Sequence, residues 1–259
     1  MSRIAVAFGK EKLFIGFVTG GDPSIEKSEE FILKMIEAGA GLVEIGVPFS
    51  DPIAEGPVIQ AANIRALKSG ASLEKLFALV KSLREKTQVP LVFLTYFNPV
   101  FKYGVDNFFK HCAETELDGV IIPDLPFEES WEARGAADKN SVDLISLVAP
   151  TSEDRVKEIA KNAGGFLYVV SSMGVTGERD AIETDLNSII TTARAHTNIP
   201  IAVGFGINTP EQAADIARVA DGVIVGSAIV KIVEQHGGGA GPHIYDYVKS
   251  MKAGMSRNQ

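Results

Sequence analysis

Short apolar runs recur along this chain at 13–18, 42–47, 91–96, 119–122, 144–148, 166–170, 201–204 and 222–225. Between them, segments such as 24–38, 73–86, 152–163 and 210–220 repeat their apolar residues at helical spacing. Runs of this length, rich in valine and isoleucine and bounded by glycine or proline, read as buried strands. Strand followed by helix along nearly the whole length predicts βα units around a parallel sheet. Eight such strands predict a closed (β/α)8 TIM barrel, one domain over 1–259 with additional terminal and loop helices. An open doubly wound sheet is the alternative architecture. The run Gly237-Gly238-Gly239 follows the last unit and precedes a helical pattern through Tyr245, Tyr247 and Val248, so it is expected to be a flexible connection.

Composition narrows the partners. The length of 259 residues is that of one α/β barrel, typically about 250. A net charge of −8 and a pI near 5.1 leave no general basic footprint, so nucleic acid is not expected, although a local phosphate site is compatible. No apolar stretch approaches the roughly 20 residues that a membrane helix needs, and segment 1–10 is too short and mixed for a signal peptide. The only cysteine, Cys112, cannot form an internal disulfide, which fits a reducing cytoplasm. It sits in a helical stretch without a cationic neighbourhood, so a packing role is expected.

The candidate chemistry starts at Glu44, which interrupts the apolar run Leu42-Val43-Glu44-Ile45-Gly46-Val47. A charged carboxylate inside a buried strand is costly unless it is paired or used. One reading has it satisfied by backbone N–H groups or a cation; the other makes it an acid/base tuned by burial. The chain then passes through Pro48-Phe49-Ser50-Asp51-Pro52-Ile53-Ala54 to a second acid, Glu55. Further on, strand seven ends in Gly204-Phe205-Gly206 and strand eight in Gly226-Ser227, ahead of a helical run. Glycines admit backbone N–H groups to an anion, and the loops after strands seven and eight of such barrels frequently bind phosphate. Tight strand-to-helix turns would also explain them. The segment 171–177 after strand six has the glycine and hydroxyl content of a closing loop, with a plain surface loop as the alternative. A Schiff-base aldolase would need a lysine at a strand end, and metal-assisted cleavage a ligand cluster; the four histidines, His111, His196, His236 and His243, fall outside the mouth motifs. A catalytically silent phosphate-binding subunit is the non-enzymatic alternative, and it would leave both carboxylates without work.

The stretch Val43-Glu44-Ile45-Gly46-Val47-Pro48-Phe49-Ser50-Asp51-Pro52-Ile53-Ala54-Glu55-Gly56-Pro57 closely resembles the signature of the tryptophan synthase α-subunit family. Phe17-Val18-Thr19-Gly20-Gly21-Asp22-Pro23, Ile122-Pro123-Asp124-Leu125-Pro126, Ser171-Ser172-Met173-Gly174-Val175-Thr176-Gly177 and Gly204-Phe205-Gly206 extend the likeness in the same order over essentially the whole chain. The resemblance implies a barrel lyase that cleaves indole-3-glycerol phosphate to indole and glyceraldehyde 3-phosphate. It further implies an α2β2 complex in which indole passes to a β subunit that carries pyridoxal phosphate, with no cofactor or metal in this chain. By position Glu44 matches the family's principal acid/base and Glu55 its second carboxylate, where aspartate is commoner. Phe17, Leu94, Tyr96, Tyr168 and Thr176 match substrate-binding positions, and Gly177, Gly204, Gly206, Gly226 and Ser227 match phosphate-binding ones. Asp51, Pro52, Asn98, Phe101, Pro126 and Glu128 would face the β subunit.

Overall fold

The computed structural model describes residues 2–9, 11–150, 152–170, 179–204 and 206–256, the side chains of 179–185 excepted. Its strands are β1 (Leu13–Thr19), β2 (Leu42–Gly46), β3 (Leu91–Leu94), β4 (Gly119–Ile121), β5 (Asp143–Val148), β6 (Leu167–Val170), β7 (Ile201–Gly204) and β8 (Gly222–Val225). They run parallel in chain order, and β8 pairs back onto β1, which closes the barrel and rules out the open sheet. β3 stops at Leu94, short of the expected 96, because the chain turns there into the helix Phe97–Tyr103.

Successive strand residues face opposite sides, and this splits the core in two. Leu13, Ile15, Leu42, Val92, Ile121, Ile145, Ala202 and Ile224 fill the barrel interior. Phe14, Val18, Val43, Ile45, Phe93, Val169 and Val203 lie under the surrounding helices. Both faces are therefore buried, and the runs read as continuous rather than alternating. Each large apolar side chain removed from water in this way contributes roughly 1.5–3 kcal/mol.

The helices expected at 24–38, 73–86, 152–163 and 210–220 are Ile25–Glu37, Leu73–Arg84, Glu153–Asn162 and Pro210–Val219. Each begins where a side-chain oxygen caps it: Ser24, Ser72, Ser152 and Thr209 accept from the backbone N–H of Lys27, Lys75, Arg155 and Gln212. Segment 1–10 holds a helix that the pattern did not announce, Arg3–Phe8. Its Ile4 is fully buried and its Phe8 ring lies 5.6 Å from that of Phe166, so it closes the N-terminal end of the barrel. Gly237–Gly239, expected as a flexible connection, is instead a 3-10 turn between the helices Ser227–His236 and Gly241–Ser256. Three glycines state only that the backbone is permissive; the buried Ala240, whose N–H bonds the carbonyl of Gly237, pins the turn. Cys112 packs in the core, where burial pushes its thiol's proton affinity up.

Candidate active site

A cavity of about 1030 Å³ opens at the C-terminal end of the strands, the end at which such barrels carry their active sites. Phe17, Glu44, Leu94 and Tyr168 line it from the inward rows of β1, β2, β3 and β6. Phe17 and Glu44 are direct neighbours in the β1–β2 register, and Val92 lies opposite Glu44 on β3. Glu44 is 1 % exposed, its Oε1 has no hydrogen-bond partner among the described residues, and burial pushes its pKa up to about 8. The bland reading of a carboxylate satisfied by a cation or by backbone donors thus finds no partner for that oxygen. A neutral carboxyl at pH 7, free at one oxygen and open to a cavity, is a proton donor awaiting an acceptor.

Glu55 reaches the same cavity from the loop that follows β2, immediately ahead of the helix Pro57–Lys68. Burial raises its proton affinity, and a hydrogen bond from Asn63 Nδ2 at 2.6 Å opposes that rise. Tyr96 plays a different part from the one expected. It does not line the cavity; its hydroxyl accepts from the Ala54 N–H at 3.0 Å and its ring lies 5.3 Å from that of Phe49, so it ties down the loop carrying Glu55. Tyr168 is buried beside Glu44, and both burial and that neighbour raise its proton affinity.

The glycines separate by cause. Gly206 has φ +75°, a left-handed backbone that favours glycine, and it lines the cavity. Gly226 is the N-cap of the helix Ser227–His236, and among the described residues no side chain caps that helix; Gly226 and Ser227 both line the cavity, so the helix starts at its wall. Gly204 is not a lining residue: a Cβ there would collide with the Tyr168 hydroxyl, which gives this glycine a packing reason. Thr176, Gly177 and the rest of the 171–177 loop lie outside the described residues, as does Phe205. Two contributors escaped the sequence reading. Neither Asn63, which bonds Glu55 from the helix Pro57–Lys68, nor Lys231 was singled out there; Lys231, one turn into the helix after β8, lines the cavity from a helix rather than from a strand end.

A family model described as tryptophan synthase alpha chain matches residues 5–255. The chain belongs to the tryptophan synthase alpha chain family. The alpha chain of Lacticaseibacillus casei is 46% identical over 255 residues, 98% of this chain and 96% of that one. That of Alkaliphilus metalliredigens is 50% identical over 224 residues, 86% and 84% of the two chains. Among solved structures, tryptophan synthase subunit alpha from Legionella pneumophila superposes with a TM-score of 0.90 at 33% identity over 98% of both chains. A chain of the tryptophan synthase α2β2 complex from Pyrococcus furiosus gives 0.87 at 35%, covering 94% of this chain and 99% of that one.

Within this alpha chain the residues expected to face a partner spread over three segments at the cavity end. Asp51 is exposed and Pro52 half-buried on the loop after β2. Asn98 and Phe101 project from the helix Phe97–Tyr103, whose Val100 faces the core. Pro126 and Glu128 are exposed after β4, and Glu128 pairs with Arg155 at 3.0 Å. Ile53, on the same loop as Asp51, is 82% exposed, and Trp131, the first residue of the helix Trp131–Lys139 that follows Glu128, is 72% exposed; neither was anticipated. Among the described residues no cluster of His, Cys, Asp and Glu suits a metal, and no helix is long and apolar enough to cross a membrane.

Proposed function

We infer that this chain is the lyase subunit of tryptophan synthase, cleaving indole-3-glycerol phosphate to indole and glyceraldehyde 3-phosphate and passing the indole to a β subunit. The observation that carries the reading is the carboxyl of Glu44, buried, unpartnered at one oxygen among the described residues, and opening on the cavity. Breaking the bond between indole C3 and the glycerol chain requires a proton on C3 first, which turns the ring into an electron sink. Glu44 holds that proton at neutral pH and delivers it. The resulting carboxylate then accepts the proton of the side-chain hydroxyl as the aldehyde carbonyl forms, so the residue ends in its starting state. Glu55 accepts from the indole N–H and stabilises the positive charge on the protonated ring, an interaction strengthened where water is excluded.

Phe17 and Leu94 form the apolar wall against the indole, and Tyr168 orients Glu44. The phosphate goes to the backbone amides at Gly206, Gly226 and Ser227; Gly177 as a phosphate-binding residue and Thr176 as a substrate-binding one rest on the family resemblance. Lys231 adds positive charge on that side, because helical side chains lean toward the N-terminus of their helix. Residues 1–259 act as one barrel domain in the cytoplasm, within an α2β2 complex whose β subunit holds pyridoxal phosphate. The test is direct: incubate purified protein with indole-3-glycerol phosphate, alone and with a β subunit, and measure indole and glyceraldehyde 3-phosphate. Stoichiometric formation of both supports the assignment; substrate binding with no products under either condition leaves a binding subunit and overturns it.

A further inference from the structure

Asn63 is polar, yet only 2% exposed on the helix Pro57–Lys68. An amide buried without a partner is costly, and here Glu55 supplies the partner, its Oε2 accepting from Nδ2 at 2.6 Å. Glu55 is held a second time from the same helix, where Gln60 Nε2 donates to its backbone carbonyl at 2.7 Å. The helix is itself anchored on its other side. Arg65 forks onto both carboxylate oxygens of Asp22 at 2.9 and 2.7 Å, and Ser69 Oγ donates to the carbonyl of Gly21 at 2.8 Å. Asp22 is 1% exposed, so the fork is a fixed joint between this helix and the turn after β1.

A glutamate arm has one more rotor than the aspartate common at this position in the family, and its carboxylate needs more to hold it in one place. We propose that Asn63 is a positioning residue for the lyase reaction, its amide gripping one oxygen of Glu55 so that the other is presented to the indole N–H. This rests on the role given to Glu55 above. The clamp also opposes the effect of burial on that carboxyl and favours its charged form. Other groups facing the cavity are Glu44, Tyr168, Lys231, Arg134 and Arg155, with Tyr96 beneath the loop, and these are common to all variants compared.

The experiment compares the starting protein with Glu55→Gln, Asn63→Ala and Asn63→Asp in the lyase assay from about pH 6 to about pH 8, spanning the approach to the carboxylate range. Folding is checked by circular dichroism. Asn63→Ala should lower kcat about 10- to 100-fold, the worth of a hydrogen bond to a charged group, with KM little changed. Asn63→Asp is nearly isosteric but sets two carboxylates face to face. As pH falls a shared proton restores a donor, so its deficit should shrink toward acid, a response that a merely packing residue would not give. Should Asn63→Ala fail to fold, the Asp variant and its pH profile carry the test. Folded Asn63 variants with wild-type kcat at every pH, alongside an inactive Glu55→Gln, would overturn the role of Asn63 alone. An active Glu55→Gln would overturn it together with the assignment of Glu55.

Discussion

Burial pushes the Glu44 carboxyl up to about 8, because a side chain only 1% exposed has little solvation to stabilise its charge. Two consequences follow for Glu44→Gln, whose amide has nearly the same shape but cannot exchange the proton. Lyase turnover should fall about 100- to 10,000-fold while glycerol phosphate still binds; near-normal indole release from a folded variant would remove Glu44 from the mechanism. The second consequence concerns stability. Between the ordinary carboxyl value of 4.5 and about 8, the unfolded chain has lost this proton and the folded chain has not. The unfolded state then binds fewer protons, so this group's contribution is complete below the ordinary value and is lost as pH rises, by at most about 1.4 kcal/mol per pH unit. Thermal unfolding of Glu44→Gln should therefore overtake that of the starting protein progressively from about pH 5 to about pH 8. A constant difference in melting temperature across that range would mean that Glu44 is already ionised in the fold. At this scale the sequence was eloquent about Glu44, because an acid in an apolar run is conspicuous. It was silent about Asn63, whose meaning depends on which side of its helix faces Glu55.

Helix ends and strand ends were legible to different degrees. Ser24, Ser152 and Thr209 cap the helices that follow them through local contacts, three residues apart, and such contacts are written in the chain. The helix Phe97–Tyr103 is different: the N–H of Phe97 donates to Asp124 at 2.9 Å, a cap supplied from the next βα loop. The uncapped start of the helix Ser227–His236 supports the phosphate prediction. A Cβ at Gly226 would meet the Phe17 ring at 3.4–3.6 Å, ordinary contact, so Gly226→Ala should fold without displacing it. Gly226→Val adds branches over the amides. Titrated with glycerol phosphate, it should bind about tenfold more weakly or worse, as expected when hydrogen bonds to a charged group are lost, and more weakly than the Ala variant. Unchanged affinity in a folded Val variant would move the phosphate elsewhere on the rim.

The cavity mouth is the surface proposed to meet the β subunit. Asp51, Ile53, Phe101 and Trp131 are exposed on segments that also bear on the cavity loops, and Trp131 is the chain's only tryptophan. A β subunit seated there favours whichever loop arrangement it binds better, and ligand in the cavity does the same; each must change the other's affinity by an equal factor, tightening it where both favour the same arrangement. Glycerol phosphate is expected to strengthen α–β association about fivefold or more, at the lower end of typical couplings, and Asp51→Ala to reduce that factor. Isothermal titration of β into each protein, with and without glycerol phosphate, reads it; affinities indifferent to ligand in both would show that the mouth transmits nothing.

The sequence by itself determined the barrel, because eight apolar runs separated by helical patterns leave few other ways to bury both faces of each strand. It also marked Glu44, Glu55 and the glycines at the ends of β7 and β8, since charge in an apolar run and permissive backbone are local properties. Only the tertiary structure decided what each does there. It turned Tyr96 from a cavity wall into a tether for Ala54, and gave Gly204 the task of making room for Tyr168. It brought Asn63 onto Glu55, and it set the N-terminal helix as the plug of the barrel. The physical reason is common to all four. Each depends on which atoms meet after the chain has closed on itself, and spacing along the sequence does not encode that distance.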